Sequence, residues 1–241
     1  MKHSLDGIKV LDVTQVMAGP FCSMLLCDMG ADVIKIEDAK FKDPFIYGLF
    51  AEMDNSFPKW YEELNANKTI LRLDFNNEAA QEQIRETIFK ADAIIMGIPK
   101  KIQQKLGITI EDIQKNVKQS FAAVIPLASK EAMSHMHDLN ALAMTGLLSL
   151  HLRNINSVED VAPPFLPLAG INFGQKMAFD LLGAMYKSKE SNKVETSPNF
   201  TILESIFTQV CSLYFQKFSP STPALLYLKL PVLRSVPLTA P

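Results

Sequence analysis

Few residues in this chain carry side chains and spacings suited to chemistry, and each has a plain structural rival. His135 and His137 flank Met136, with Asp138 next. An extended His-x-His pair can ligate a metal, but no Cys or Glu cluster accompanies it, so no metal site is expected. An unperturbed imidazole titrates near neutral pH, which suits His137 to the work of a general base. Asp138 stands where a carboxylate can cap a following helix. Lys68, Arg72, Lys100, Lys101 and Lys105 could hold nucleotide phosphates or form a solvated face. The turn Thr14-Gln15-Val16-Met17-Ala18-Gly19-Pro20 offers the free N–H groups of a helix start, which suit a phosphate. A lone glycine there also fits an ordinary tight turn with no ligand. Cys22 and Cys27 lack redox-pair spacing and read as buried apolar positions.

The elements that must position these residues alternate. Gly7–Val13 reads as a strand, Pro20 sits near the start of a helix that Gly30 stops, and Ala31–Glu37 reads as a second strand. Residues 38–64 read as a loop with short helices. Thr69–Leu73, Ala93–Met96 and Phe121–Pro126 read as further strands. Asn76 is positioned to cap a helix running to about Lys90, and Thr109 with Asp112 suggests a capping box. The alternation predicts an α/β fold with an open, doubly wound parallel sheet. Helices are expected over 139–150, 174–187 and about 200–218. Five of the 14 prolines fall at or after Pro220, so 219–241 reads as an irregular tail. The expected division is therefore 1–218 and 219–241.

Composition bounds the function. With 24 basic and 26 acidic residues the net charge is −2, which gives no basic excess for nucleic acid. No apolar run is long enough for a membrane span. Three cysteines, Cys22, Cys27 and Cys211, do not make a disulfide framework, and no signal core opens the chain. A cytoplasmic or organelle-matrix location is expected.

Three runs carry a family resemblance: Leu5–Thr14, Met17–Cys22 and Asp28–Glu37. It continues at Asn65-Ala66-Asn67-Lys68, Leu73-Asp74, Ala91-Asp92-Ala93, Lys105-Leu106-Gly107, His137-Asp138-Leu139-Asn140, Thr145-Gly146 and Ile171-Asn172-Phe173-Gly174. The sequence resembles the class III (family III) CoA-transferases, and its His-Asp-Leu-Asn string is most similar to the α-methylacyl-CoA racemase branch. The resemblance implies a Rossmann-like large domain, a coenzyme A thioester as substrate or ligand, and no covalently bound cofactor. It implies Val16, Met17, Lys68, Gly97, Ile98 and Lys105 around the CoA, and a homodimer or heterodimer as the assembly. Lys105 stands where the family has Arg, and Asp38 where an Arg often meets the nucleotide phosphate.

The resemblance also implies the chemistry at His137, Asp138 and the position of Asn172. There the family has an Asp, which attacks the thioester in transferases and shuttles the α-proton with the His in racemases. Asn172 is an amide and lacks that carboxylate. Asp180 lies too far along its helix to replace it. None of the 10 glycines follows Gly183, so the family's glycine-rich active-site loop and smaller second domain are not expected in this chain, which reads as C-terminally truncated. Three readings stay open: an acyl-CoA racemase or transferase relative with impaired turnover, an inactive CoA-thioester binder or partner subunit, and a truncated product without a role.

Overall fold

The structure, a computed structural model, describes residues 3–125, 137–152 and 166–197. Six strands form one sheet: β1 (Lys9–Val13), β2 (Asp32–Asp38), β3 (Thr69–Leu73), β4 (Ala93–Met96), β5 (Phe121–Val124) and β6 (Val194–Thr196). All pair in parallel in the order β3-β2-β1-β4-β5-β6. That is the Rossmann-like doubly wound order, which reverses direction between β1 and β4 and opens a crevice at their carboxyl ends.

Strand parity builds the two sides of the core. Val10, Val33, Ala93 and Ile95 face α1 (Ala18–Asp28) and α9 (Leu168–Ser191), where they meet Leu26, Phe173 and Leu181. Leu11, Val13, Ile94 and Met96 point the other way, onto α4 (Glu78–Phe89), α5 (Lys100–Leu106) and α6 (Ile110–Asn116), against Ile84, Ile88, Leu106 and Ile113. β4 and β5 are buried on both faces, as a parallel sheet covered by helices requires. The remaining helices are α2 (Leu49–Met53), α3 (Ser56–Asn65), α7 (Asp138–Met144) and α8 (Leu147–Leu152).

Several local expectations change. Asn77, not Asn76, caps α4: its side chain accepts from Ala80 N at 3.1 Å, while Asn76 Oδ1 takes the Lys105 ammonium. The single helix expected over 139–150 is two, because Gly146 turns to φ 80° between α7 and α8. α9 starts earlier and ends later than 174–187, and β6 follows it unforeseen. The Thr109–Asp112 capping box is present. His135, Cys211, the helix expected at 200–218 and the 219–241 tail lie outside the described residues.

α1 and α9 approach very closely because α9 carries glycines at the crossing. A Cβ on Gly174 would stand 2.6 Å from the Ala18 carbonyl oxygen and about 3 Å from the Phe21 ring. A Cβ on Gly170 would stand 2.7 Å from Met17 Cγ. The start of α9 is thereby locked onto the turn that joins β1 to α1.

Candidate functional site

The turn from β1 into α1 rests on a buried ionic network. Asp12 and Lys35 are cross-strand partners in the sheet register, and both are fully buried. Asp12 Oδ1 accepts from the Thr14 N–H at 3.0 Å and from the Thr14 hydroxyl. Its Oδ2 accepts from Ser23 Oγ at 2.5 Å and from Lys68 Nζ at 3.3 Å. Burial opposes ionisation of Asp12, but Lys35, Lys68 and the two hydroxyls outweigh it and hold the carboxyl below its ordinary range. Lys35 Nζ donates to the Thr14 carbonyl at 2.7 Å and stands 3.7 Å from Asp43 and 3.9 Å from Glu37.

Asp43 completes the clamp. Its Oδ2 accepts from Val16 N at 3.1 Å and its Oδ1 from Phe45 N at 3.0 Å. Burial pushes its carboxyl up, against the pull of Lys35. Val16 itself sits at φ 68°, a left-handed conformation that a β-branched residue adopts only when its surroundings impose it. Thr14, Val16 and Met17 are therefore held in one shape before any ligand arrives. Gly19 is required here, since a Cβ would overlap the Thr14 side chain.

The basic residues do not converge on one site. Lys68 turns inward: its side chain is 0% exposed and donates to Pro20 O at 2.9 Å, Ser23 Oγ at 2.7 Å and Asn65 Oδ1 at 3.0 Å, besides Asp12. Burial lowers its pKa, opposed by Asp12. Buried there, it supports the turn and has no surface to offer a phosphate. Arg72 donates to Glu37 Oε2 and the Tyr61 hydroxyl, each at 3.0 Å, and Tyr61 donates to Glu37 Oε1 at 2.8 Å. Lys100 and Lys101 are exposed at the start of α5.

Lys105 does reach a cavity. A space of about 290 Å³ opens at the carboxyl ends of β1, β2 and β4, on the α5 side of the sheet. Ile36, Phe41, Phe75, Ile98 and Ile102 give it apolar walls, and Gln15, Asp38, Asn76 and Lys105 its polar ones. Of the residues expected around a CoA, Ile98 and Lys105 line this cavity. Val16 and Met17 lie in the adjoining turn, with Met17 buried, and the Gly97 N–H prolongs β4 by donating to Val13 O at 2.9 Å.

The expected reaction residues gather near the start of α9. The His137 N–H donates to Asn140 Oδ1 at 2.9 Å, and its exposed ring meets Phe50 edge-on with centroids 6.2 Å apart. Asp138 does not cap the helix it begins. Its Oδ1 accepts from Gly170 N at 2.7 Å, so it caps α9 instead and ties α7 to it. Burial pushes the Asp138 carboxyl up, partly offset by the Gly170 and Ala169 N–H groups. Asn172, two residues beyond Gly170, donates from Nδ2 to Leu168 O at 2.8 Å. Asp180 pairs with Lys176 along the helix.

Of the two described cysteines, Cys27 is only half-buried rather than buried as expected, with its Sγ donating to Asn67 O at 3.5 Å. Cys22 is wholly buried, and burial drives its thiol far above the ordinary range. Among the described residues no group of three or more His, Cys, Asp or Glu gathers as a metal site, and no helix is long and apolar enough to cross a membrane. Sequence reasoning passed over Asp12, Lys35, Glu37 and Asp43. The signal for Asp12, Lys35 and Glu37 was charge inside runs otherwise apolar enough to be buried strands, whereas Asp43 lies in the loop after β2 and carried no such signal.

Comparison with known proteins agrees with this geometry. A profile of CoA-transferase family III matches residues 5–164. The chain is 30% identical over 118 residues to the succinyl-CoA:mesaconate CoA-transferase of Haloarcula hispanica, covering 47% of this chain and 29% of that protein. It is 33% identical over 125 residues to the formyl-CoA:oxalate CoA-transferase of Bradyrhizobium sp. (strain ORS 278), covering 52% and 29%. The matched stretch thus spans under a third of these relatives. In fold, the chain is similar to a CAIB/BAIF family protein from Brucella suis, with a TM-score of 0.70 at 20% identity over 91% of this chain and 60% of that one. A hypothetical protein from Mycobacterium tuberculosis gives 0.71 at 21% identity, covering 92% and 61%. The sheet order, the crevice and the profile match lead to one conclusion: the chain belongs to CoA-transferase family III.

Proposed function

We propose that the protein binds an acyl-CoA thioester, with the nucleotide in the crevice beside Lys105 and the acyl group toward His137. Its chemistry is exchange of the α-proton of a 2-methylacyl group rather than acyl transfer through a covalent intermediate. The observation that carries this reading is the pairing at the start of α9. The side chain at 172 is an amide bonded to Leu168 O, and the Asp138 carboxylate is committed to the N–H of Gly170. Among the described residues the imidazole of His137 then stands without a partnering acid. His137 removes the α-proton and returns a solvent-derived one to the same face, so exchange outruns inversion. The amide at 172 also favours a second reading, a CoA-thioester binder or partner subunit without turnover.

One experiment separates the two. The protein is incubated with a 2-methylacyl-CoA in D2O and the thioester is analysed for deuterium. Incorporation that His137→Ala abolishes is the expected result. CoA binding without incorporation would overturn the proton-exchange reading and leave the binder. Exchange that persists in His137→Ala would overturn the assignment of the base.

A further inference from the structure

The crevice has an acidic wall that a CoA nucleotide would have to face. Asp38 ends β2 and lines the cavity, on the same face of the strand as Ile36. Its Oδ1 accepts from Lys40 N at 2.8 Å, and its Oδ2 has no partner among the described residues. The cations around it are engaged elsewhere. Lys40 Nζ pairs with Asp74 Oδ2 at 3.0 Å, and Arg72 is turned to Glu37 and Tyr61 across the sheet. Lys105 is bonded to Asn76 and is the one cation among the cavity's lining residues.

A carboxylate at the end of the second strand of such a sheet, about 20 residues beyond the first turn, suits ribose hydroxyls, which donate to it. A phosphate dianion on that ribose meets a like charge instead, and like charges at close range disfavour each other. The apolar walls of Ile36, Phe41, Phe75 and Ile102 suit a heterocyclic base, and Lys105 suits a diphosphate.

We propose that Asp38 reads the free hydroxyls of the ribose in this cavity, so that the protein prefers a carrier of the dephospho-CoA type over CoA, which bears a phosphate on that ribose. The inference rests on the CoA reading above and narrows it. Binding of dephospho-CoA and of CoA is measured by titration calorimetry on the full chain at fixed salt. Dephospho-CoA is expected to bind at least about tenfold tighter, a difference of about 1.4 kcal/mol. Asp38→Asn should bring the two affinities together, and Asp38→Arg should reverse their order. Lys105→Ala should weaken both nucleotides alike and leave their ratio unchanged. CoA binding as tightly as dephospho-CoA, or a ratio unmoved by Asp38→Asn, would overturn the inference and leave the CoA reading standing. Binding of neither nucleotide would overturn both.

Discussion

Three glycines of α9 make a graded test of how α9 meets α1. In an open helix position, Gly→Ala stabilises by about 1 kcal/mol, because alanine loses less backbone freedom on folding. Gly183 is such a position: an added Cβ meets nothing within 4 Å. At Gly174 the same methyl would lie 2.6 Å from the Ala18 carbonyl oxygen, which is backbone and cannot swing aside. Overpacking of this kind costs about 1–3 kcal/mol and wins over the propensity gain. Gly170 falls between, because the 2.7 Å contact is with Met17 Cγ, on a side chain that can rotate. Urea unfolding at equilibrium reads the series. Gly183→Ala should raise the midpoint, Gly170→Ala should leave it nearly still, and Gly174→Ala should lower it, with m unchanged. In thermal terms each kcal/mol moves Tm by about 2–4 °C for a domain of this size. Gly174→Ala raising stability as much as Gly183→Ala would refute the close crossing. The turn that joins β1 to α1 would then no longer be held by α9.

Other perturbations test the charges and the reaction corner. Lys35→Met strands buried Asp43 and Glu37 and should destabilise by about 3–5 kcal/mol, whereas Lys40→Ala breaks an exposed pair with Asp74 and should cost under about 1 kcal/mol; equal losses in urea unfolding would refute the network. Asp138 has its folded pKa raised above the unfolded value, so the folded state binds the proton more tightly and stability falls as pH rises through that folded pKa. Asp138→Asn keeps a capping side chain and should remove this fall; an unchanged stability profile between pH 4 and 7 would contradict it. Asn172→Asp places a carboxylate beside the start of α9 and should make inversion accompany exchange in the D2O assay; exchange without inversion would count against that position. Cys22 should resist a thiol reagent at pH 8 in the folded protein, and labelling as fast as in urea would refute its burial.

The sheet was largely legible because β4 and β5 are unbroken apolar runs, β1 is apolar but for Lys9 and Asp12, and Gly30 and helices of clear period punctuate them. Local rules fell short where neighbours decide. Val194-Glu195-Thr196 is too short and too polar to announce a strand, and β6 exists because β5 offers it an open edge. Asn76 and Asn77 are equal candidates for a cap, and the structure gives Asn76 to Lys105 instead. The basic residues looked like one set in sequence. The folded sheet sends Lys68 and Arg72 to the α1 and α3 side and leaves Lys105 at the crevice. Asp138 was read as the cap of the helix that follows it, whereas it caps a helix about 30 residues away, which no local pattern can reveal.

The central position of β1 also dictates the order in which the molecule can be built. β1 pairs with β2 soon after both are made, but Lys9 N must wait for Asp92, 83 residues later, and its second edge for β4. The inner face of α1 waits longer still, until α9 has been synthesised. During translation the apolar side of the β1-α1-β2 unit is therefore uncovered until α9 has been made. Long-range parallel pairing of this kind folds slowly and exposes adhesive surface. The inner face of α1 is thus adhesive surface for as long as α9 is missing, and the glycines that let α9 seat on it set the moment at which that exposure ends.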